Sequence, residues 1–413
     1  MKKEEKKIKV AFPHMGTIYV AWEMALKAIG VEAFIPPYTS KKTLSLGTKN
    51  SPEAICLPYK LILGNFIEAI EGGVDYVSMI ASPGICRLGE YGRNIEQVLK
   101  ELGYSANYIE LSLYDGIKGM FSYLSRISGT KNYFKIMNAI FLAIRTVFAV
   151  DELQNFLSYH RAREIKKGDS EKAFNKAIKL IRQTDNAKDL AKALKQGLKE
   201  ISSVEIDKNR DILHVDLTGE IYIVNDEFSN QNMERELGAM GVQVRRSLTV
   251  SSFLKDAIIP KMFKKGETHL ERAYRLAKPY LMRDIGGDAL ECISDVLYAK
   301  ERNVDGLIHV SPFTCMPEIM SQNIFPKMRE NVEIPILPLI MDEQTGKIMR
   351  PAYQQLEVYL LSLSIENVVD LALLMYLGRD MDCNMDINPG EDRFVEFYDR
   401  YNDIVNGKSK KEL

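Results

Sequence analysis

Apolar positions along the chain form strand-like runs that alternate with segments of helical spacing. The first series places strands at 7–12, 31–36, 74–81 and 107–111, and helices at 17–30, 57–73 and 94–103. Continuous apolar strands that alternate with amphipathic helices indicate a parallel sheet covered on both faces. The first quarter of the chain therefore predicts an α/β lobe.

The same order occurs again in the second half of the chain. This series places strands at 212–217, 242–248, 304–310 and 334–340, and helices at 228–241, 289–302 and 318–330. The sequence Ala-Ile-Gly-Val-Glu-Ala at 28–33 parallels Ala-Met-Gly-Val-Gln-Val at 239–244, and a strand ending in Ser-Pro-x-x-Cys occurs twice. A repeat of this length predicts two similar doubly wound lobes of the flavodoxin or Rossmann type.

The remaining segments lack strand signals. Residues 112–205 are rich in Ala, Leu, Lys and Glu at helical spacing, and residues 353–377 predict one or two further helices before a charged tail. The predicted domains are a first lobe at 1–111, a helical insert at 112–205, a second lobe at 206–345, and C-terminal helices with a tail at 346–413.

Charge and composition narrow the classes of partner. The 413 residues include 55 basic and 56 acidic side chains, so no net basic field draws the protein to nucleic acid or an anionic membrane. The amino-terminal residues pass directly into a strand, without the apolar stretch of a signal peptide. The apolar run 136–150 is interrupted by Asn138 and Arg145 and predicts a buried helix. We expect a cytoplasmic protein that binds a small molecule or another protein.

Three of the five cysteines are placed where ligands bind in parallel sheets. Cys86 and Cys315 follow the ends of equivalent strands, where loops and helix amino termini converge. Cys56 precedes a predicted helix with proline in its first turn, as does Cys315, and the helix dipole there favours the thiolate. Two lobes facing each other would bring the thiols into one cleft. Three thiolates fit a 4Fe-4S cluster with one iron open to substrate.

Other interpretations of these residues stay open at this point. Free cysteines are often small buried core residues, and this chain has no compact C-x-x-C pair. A zinc ion held by three cysteines is chemically plausible, although such sites usually contain close ligand pairs. We interpret Cys292, within a predicted helix, and Cys383, in the polar tail, as structural. His309 lies inside an apolar strand and is interpreted as a core histidine.

Polar residues at the same sheet edge are candidates for catalysis. His14 and Glu220 follow the first strand of their lobes, and Glu343 follows the last strand of the second lobe. They could bind a substrate or transfer a proton near the open iron. The alternative is that His14 and Glu220 cap loops or helices and that Glu343 lies at a pocket edge. Lys60 and Arg93 could balance a negatively charged cluster, or be solvated.

Several short motifs together resemble a known family, the 2-hydroxyacyl-CoA dehydratase superfamily. Its branch of acyl-CoA dehydratase activase-related and double-cubane cluster proteins is the most similar. The resemblance covers both lobes. It rests on Cys56-Leu57-Pro58-x-Lys60, Val74-Asp75 leading to Cys86, Gly219-Glu220-Ile221-Tyr222, Glu234-Arg235-Glu236-Leu237-Gly238-x-Met240-Gly241-Val242, Pro312-Phe313-x-Cys315-Met316-Pro317 and Asp342-Glu343-Gln344-Thr345-Gly346.

The resemblance implies a cluster-bearing subunit with three cysteine ligands for each 4Fe-4S unit. Such subunits receive electrons at very low potential from a separate ATP-hydrolysing iron-sulfur activator. This chain has no G-x-x-x-x-G-K-[ST] phosphate loop, so ATP is expected to be used by that partner. A homodimer is expected from the family and from the frequency of two-fold dimers.

The family divides at the reaction. Its dehydratases form a ketyl radical from a 2-hydroxyacyl-CoA and expel the hydroxyl, whereas its double-cubane proteins reduce small molecules with an 8Fe-9S cluster. A double cubane needs about six thiolates, and this chain has five cysteines, so two chains would have to share it or other ligands would have to contribute.

Three functions from different classes remain. The first is the cluster-bearing component of a reductase or dehydratase. The second is a non-catalytic cluster-binding or scaffold protein of the same fold. The third is a non-redox α/β binding protein with incidental cysteines.

Overall fold

A computed structural model describes residues 8–81, 86–105, 107–112, 115–258, 267–332 and 334–343. All of these lie in one compact unit, Met1–Gly346, and the chain continues in a second unit, Lys347–Leu413. The predicted helices at 353–377, the charged tail with Cys383, and the Ser82–Ile85 part of the first Ser-Pro-x-x-Cys motif lie outside the described residues.

The first lobe is a four-stranded parallel sheet with helices. Its elements are β1 (Lys9–Ala11), α1 (Ile18–Ile29), β2 (Glu32–Phe34), α2 (Lys41–Lys49), α3 (Leu57–Glu71), β3 (Tyr76–Ala81), α4 (Leu88–Glu101) and β4 (Asn107–Ser112). The strand order is β2-β1-β3-β4, with every neighbouring pair parallel. All four predicted strands are confirmed; α4 begins six residues before the predicted start.

Four helices follow the first sheet, as the helical spacing predicted. They are α5 (Ile117–Ser128), α6 (Tyr133–Arg161), α7 (Asp169–Arg182) and α8 (Ala187–Ser202). Helices α5 and α6 pack on the first sheet through Leu111, Tyr123 and Ile140. The other side of α6 packs with α1, α7 and α8 through buried residues such as Leu153 and Phe174. The proposed division of the chain into domains stays a prediction.

Helix α6 is long and apolar enough to cross a membrane by length and composition. Half of its most apolar window is buried inside the protein. The predicted buried helix at 136–150 lies within it, and its side chains contribute to two cores.

The second lobe has the same topology as the first. Its elements are β5 (Leu213–Gly219), α9 (Ile221–Asn225), α10 (Met233–Ala239), β6 (Val242–Arg246), α11 (Val250–Ile258), α12 (His269–Ala277), α13 (Ala289–Glu301), β7 (Gly306–Pro312), α14 (Met316–Arg329) and β8 (Ile336–Met341). The strands are parallel in the order β6-β5-β7-β8. The predicted fold class, two similar doubly wound parallel-sheet lobes, is therefore confirmed.

The helix predicted at 228–241 is only partly formed. Asp226 Oδ1 accepts the Ser229 N–H at 2.8 Å, and Asn230 Nδ2 donates to the Ile223 carbonyl at 3.0 Å. These polar side chains bond to nearby backbone in a turn, which competes with a helix. Gln231 and Asn232 then have positive φ, and α10 starts only at Met233.

Two backbone features fix the sheet edge where the cysteines lie. Helix α3 is buried on all sides, with thirteen consecutive buried residues from Leu57 to Ala69, so its first turn has a fixed position. Gly219 ends β5 at φ 134°, and a methyl group there would lie 1.8 Å from the Val310 carbonyl oxygen. Only glycine allows β5 and β7 to approach so closely just before Glu220.

Replacing Gly219 tests this close approach. We expect Gly219→Ala to lower the free energy of unfolding by roughly 2–4 kcal/mol, since it adds both backbone strain and a steric clash. Gly129→Ala is the matched control: φ is 67° and no atom lies within 4 Å of the added methyl group. It should cost about 1 kcal/mol from the left-handed backbone alone. If denaturant unfolding gave the same loss in free energy of unfolding for Gly219→Ala and Gly129→Ala, the assigned clash would be contradicted.

Candidate functional site

The cysteines at positions 56, 86 and 315, here called the cysteine cluster, lie at the starts of three helices. Cys56 is the N-cap of α3 and Cys315 the N-cap of α14, each followed by proline in the first turn. Cys86 directly precedes Arg87, the N-cap of α4. The first N–H groups of a helix have no partner within it, so these ends present donors.

Backbone and side-chain donors reach the sulfur atoms. The backbone N–H groups of Leu88 and Glu318 lower the pKa of Cys86 and of Cys315, against the larger effect of burial, which raises it. The Tyr91 hydroxyl is in hydrogen-bond contact with Cys56 Sγ. Donors of this kind stabilise a sulfur that carries negative charge.

Loops of both lobes meet around the three cysteines. Burial is the largest cause that raises the pKa of Cys86 and of Cys315, and the neighbouring thiols, Cys56 for Cys86 and Cys86 for Cys315, add to it. Charge on Glu220 raises the pKa of all three thiols. Because Cys56 and Cys86 belong to the first lobe and Cys315 and Glu220 to the second, the cluster is built by both lobes.

Direct contacts between the lobes surround the cluster. A methyl group on Gly287 would lie 2.6 Å from Pro317 Cγ and 3.8 Å from Cys86 Cβ, which places Cys86 beside the second lobe. Thr314, with φ 67°, turns the chain from β7 towards α14, and its hydroxyl donates to the Ala54 carbonyl at 3.4 Å. The loops that carry Cys56 and Cys315 therefore meet.

Burial outweighs the helix dipoles in setting the thiol pKa values. Burial raises the pKa of Cys86 to about 12 and raises the pKa of Cys56 and of Cys315 as well. Burial therefore acts against the thiolate form that the helix amino termini were expected to favour. A metal centre would have to displace the protons and supply the positive charge.

Two buried carboxyl groups of the second lobe adjoin the cluster. Glu220 is the N-cap of α9, with Oε2 accepting the Ile223 N–H at 2.9 Å. Burial, followed by the charge of Asp288, raises the pKa of Glu220 to about 8. Asp288 accepts the Ile221 N–H at 2.9 Å, and burial raises its pKa to about 7. Both groups can therefore hold a proton near neutral pH.

His14 is buried and anchored by the first lobe. Its Nε2 lies 2.7 Å from the Pro36 carbonyl oxygen, its backbone N–H donates to Asn65 Oδ1, and its ring stacks on Tyr38. The Nε2 atom of the His14 ring is therefore held in a hydrogen bond to the backbone. A catalytic role for His14 stays a prediction.

Glu343 connects the end of β8 to the first lobe. Its Oε2 lies 3.1 Å from Lys60 Nζ, and the Lys60 side chain is only 1% exposed. Lys60 also donates to the Glu53 carbonyl at 3.0 Å. The contact favours a structural role for Glu343, and its catalytic role stays a prediction. Arg93 is exposed and lies near Glu90 on the surface.

Sequence patterns did not single out three residues that adjoin the cluster. Tyr91 lies in α4, and its partner Cys56 is 35 residues away. Asp288 and Gly287 are in the loop before α13. The Gly-Gly-Asp sequence at 286–288 was the one available signal, because paired glycines before a helix often allow a close backbone approach.

A comparison with protein families gives one match over more than half of the chain. Residues 11–247 match the family described as CoA enzyme activase uncharacterised domain (DUF2229). The matched range contains Cys56, Cys86 and Glu220 and ends before Cys315. The match fits the dehydratase and activase family broadly, as the motifs indicated. No curated protein matches the chain.

The Lys60 pair provides a test of the contact between lobes. We expect Glu343→Gln to lower the free energy of unfolding by roughly 1–3 kcal/mol, because a buried ammonium group loses its ionic partner. Glu330→Gln, at the exposed C-cap of α14, is the control and should change stability little. Denaturant unfolding that gave the same small change for both variants would show that the Glu343 contact contributes nothing.

Proposed function

Because the chain belongs to the CoA enzyme activase uncharacterised domain family, we propose that it is the iron-sulfur component of a CoA-dependent enzyme system. In this proposal it reduces or dehydrates a small substrate, in the manner of 2-hydroxyacyl-CoA dehydratases or of double-cubane reductases. The supporting observation is that loops of both lobes meet at the cysteine cluster, where Thr314 hydrogen-bonds to Ala54 and Gly287 lies beside Cys86.

Three cysteines on loops that meet between the lobes are a donor set suited to a 4Fe-4S cluster. Cys56, Cys86 and Cys315 would hold it, and the Tyr91 hydroxyl contacts the Cys56 sulfur. When bound, such a cluster supplies a low-potential electron and an iron site without a protein thiolate. The partly buried surroundings would limit the access of water to the sulfurs.

The protein's own groups can then act on protons and on charge. Glu220 and Asp288, with pKa values of about 8 and 7, would be positioned to give a proton to a substrate next to the cluster. Buried Lys60 and Glu343 form an ion pair that joins the first lobe to the end of β8. All of these side chains belong to the two lobes.

The proposal includes partners. Electrons would come from a separate ATP-hydrolysing iron-sulfur reductase, since this chain has no phosphate-loop motif. With five cysteines in the chain, one 4Fe-4S unit per chain is favoured, and a double cubane would need two chains. A cytoplasmic homodimer that takes an acyl-CoA or another small substrate is part of the same proposal.

Iron content is the first test. Protein prepared without air should contain about four irons and four sulfides per chain. Each of Cys56→Ser, Cys86→Ser and Cys315→Ser should lose most of this iron and the associated visible absorption. Cys383→Ser is the matched control and should retain it.

Two outcomes would overturn parts of the proposal. Colourless, iron-free protein would favour an α/β binding protein with incidental cysteines. An intact cluster that accepts no electron from an activator with ATP, and supports no turnover, would favour the alternative of a non-catalytic cluster-binding or scaffold protein.

The Tyr91 contact makes a separate prediction for the reduction potential. A hydroxyl donor to a cluster sulfur stabilises the reduced, more negative form, so Tyr91→Phe should make the potential more negative. Tyr123→Phe is the control, since it removes a buried hydroxyl that donates to Ser78 Oγ at 2.6 Å within the first-lobe core. Equal potentials for wild type and Tyr91→Phe in a redox titration would argue against the contact.

A further inference from the structure

A second group of metal-binding side chains lies inside the second lobe. Cys292 of α13, His309 of β7 and Glu318 of α14 each offer one ligand atom, and these atoms all lie within 4.8 Å of one another. Their exposures are 0%, 0% and 1%. From the sequence alone we interpreted Cys292 as a structural residue and His309 as a core histidine. The fold instead brings them together with Glu318 from three different elements.

Glu318 is the residue that a simple core does not explain. Its Oε2 is shared by His309 Nε2 at 2.5 Å and Cys292 Sγ at 3.3 Å. Its Oε1 is buried, and within the described part of the chain it has no hydrogen-bond partner. Leaving a carboxylate oxygen unpaired in a protein interior is unfavourable.

The surroundings are acidic. Burial raises the pKa of Asp288 and of Cys292, and neighbouring carboxylates add to it: Glu318 for Asp288, and Glu318, Asp288 and Asp295 for Cys292. Asp295 Oδ1 is buried without a hydrogen-bond partner among the described residues, and His269 Nε2 lies 3.6 Å from it. A bound cation would neutralise this concentration of carboxylates.

We propose that Cys292, His309 and Glu318 bind one divalent transition-metal ion of the zinc class. A thiolate, a neutral imidazole and a carboxylate are all established zinc ligands. One thiolate and one carboxylate together balance the charge of the ion. On binding, the Cys292 thiol would release its proton, and the ion would form a neutral group with the resulting thiolate and the Glu318 carboxylate.

The distances require a small adjustment on binding. Zinc bonds of about 2.0–2.3 Å in a tetrahedral site place ligand atoms roughly 3.2–3.8 Å apart. Cys292 Sγ and Glu318 Oε2, at 3.3 Å, already satisfy this spacing. His309 Nε2 and Glu318 Oε2 are 2.5 Å apart in the hydrogen-bonded arrangement and would separate by roughly 1 Å.

Neighbouring side chains can orient the ligands. His309 Nδ1 lies 3.5 Å from the Gln322 side-chain amide, which also contacts Ser311 Oγ at 2.9 Å. Rotating this amide by 180° would let its oxygen accept from both groups and fix Nε2 as the metal ligand. The Thr218 hydroxyl lies 3.6 Å from Cys292 Sγ and donates to Asp295 Oδ2 at 2.7 Å.

The site would also reach the cysteine cluster. Glu318 is in the first turn of α14, three residues after Cys315, the N-cap of that helix. A metal ion on the Glu318 side chain would therefore fix the helix start that carries Cys315. The proposal itself does not depend on iron, because the two sites use different ligands.

The experiment measures metal in two full-length proteins, the wild type and the triple variant Cys56→Ser/Cys86→Ser/Cys315→Ser, so that iron loading cannot affect the result. After growth with zinc, elemental analysis should give about one zinc per chain in both. Replacement by Co²⁺ should produce a thiolate-to-cobalt charge-transfer band.

Gln322→Leu, which keeps all three ligands, should weaken zinc affinity roughly 10–100-fold.

Cys292→Ser and Glu318→Gln should each remove the zinc, and Cys383→Ser is the matched control that should keep it. Circular dichroism identifies variants that do not fold. If Cys292→Ser or Glu318→Gln does not fold, chelator treatment of the wild type takes its place as the test, and we expect zinc release with a lower melting temperature. Folded wild type without zinc and without a cobalt band overturns the proposal, as does a thiolate band that persists in Cys292→Ser. In either case Cys292, His309 and Glu318 form only a buried hydrogen-bonded group.

Discussion

Partial burial of three thiols from two lobes beside the buried carboxyl of Glu220 is the constraint on which the site depends. Separate helix starts present Cys56, Cys86 and Cys315, and the positive end of each helix dipole favours negative charge there. Desolvation opposes that charge and raises the pKa of all three thiols. A metal centre bound there would supply the charge that the helix dipoles alone do not.

The duplicated fold explains why such a site forms between the lobes. Both sheets have the same parallel order, so the carboxyl end of β7 in one lobe corresponds to that of β3 in the other. Ligand-binding loops gather at these ends. Gly219 and Gly287 then permit backbone approaches that a side chain would block. The Lys60 to Glu343 ion pair and the Thr314 to Ala54 hydrogen bond connect the facing loops.

The amino-acid sequence was sufficient to predict the strands, their parallel direction in two lobes, and the location of Cys56 and Cys315 at helix starts. Periodicity and proline positions are local signals, and they carry this information directly. The balance between burial and helix dipole could not be read in the same way, because desolvation depends on the packing of distant segments. Tyr91 beside Cys56 and Glu318 beside Cys292 are contacts of that kind.

The central claim is that the cysteine cluster holds an iron-sulfur centre. Crystals grown without air, measured at the iron absorption edge, test it most directly. The account predicts an anomalous peak within bonding distance of Sγ of Cys56, Cys86 and Cys315. A peak elsewhere in the molecule, or three free thiols with no iron between them in protein that has never met oxygen, would contradict it.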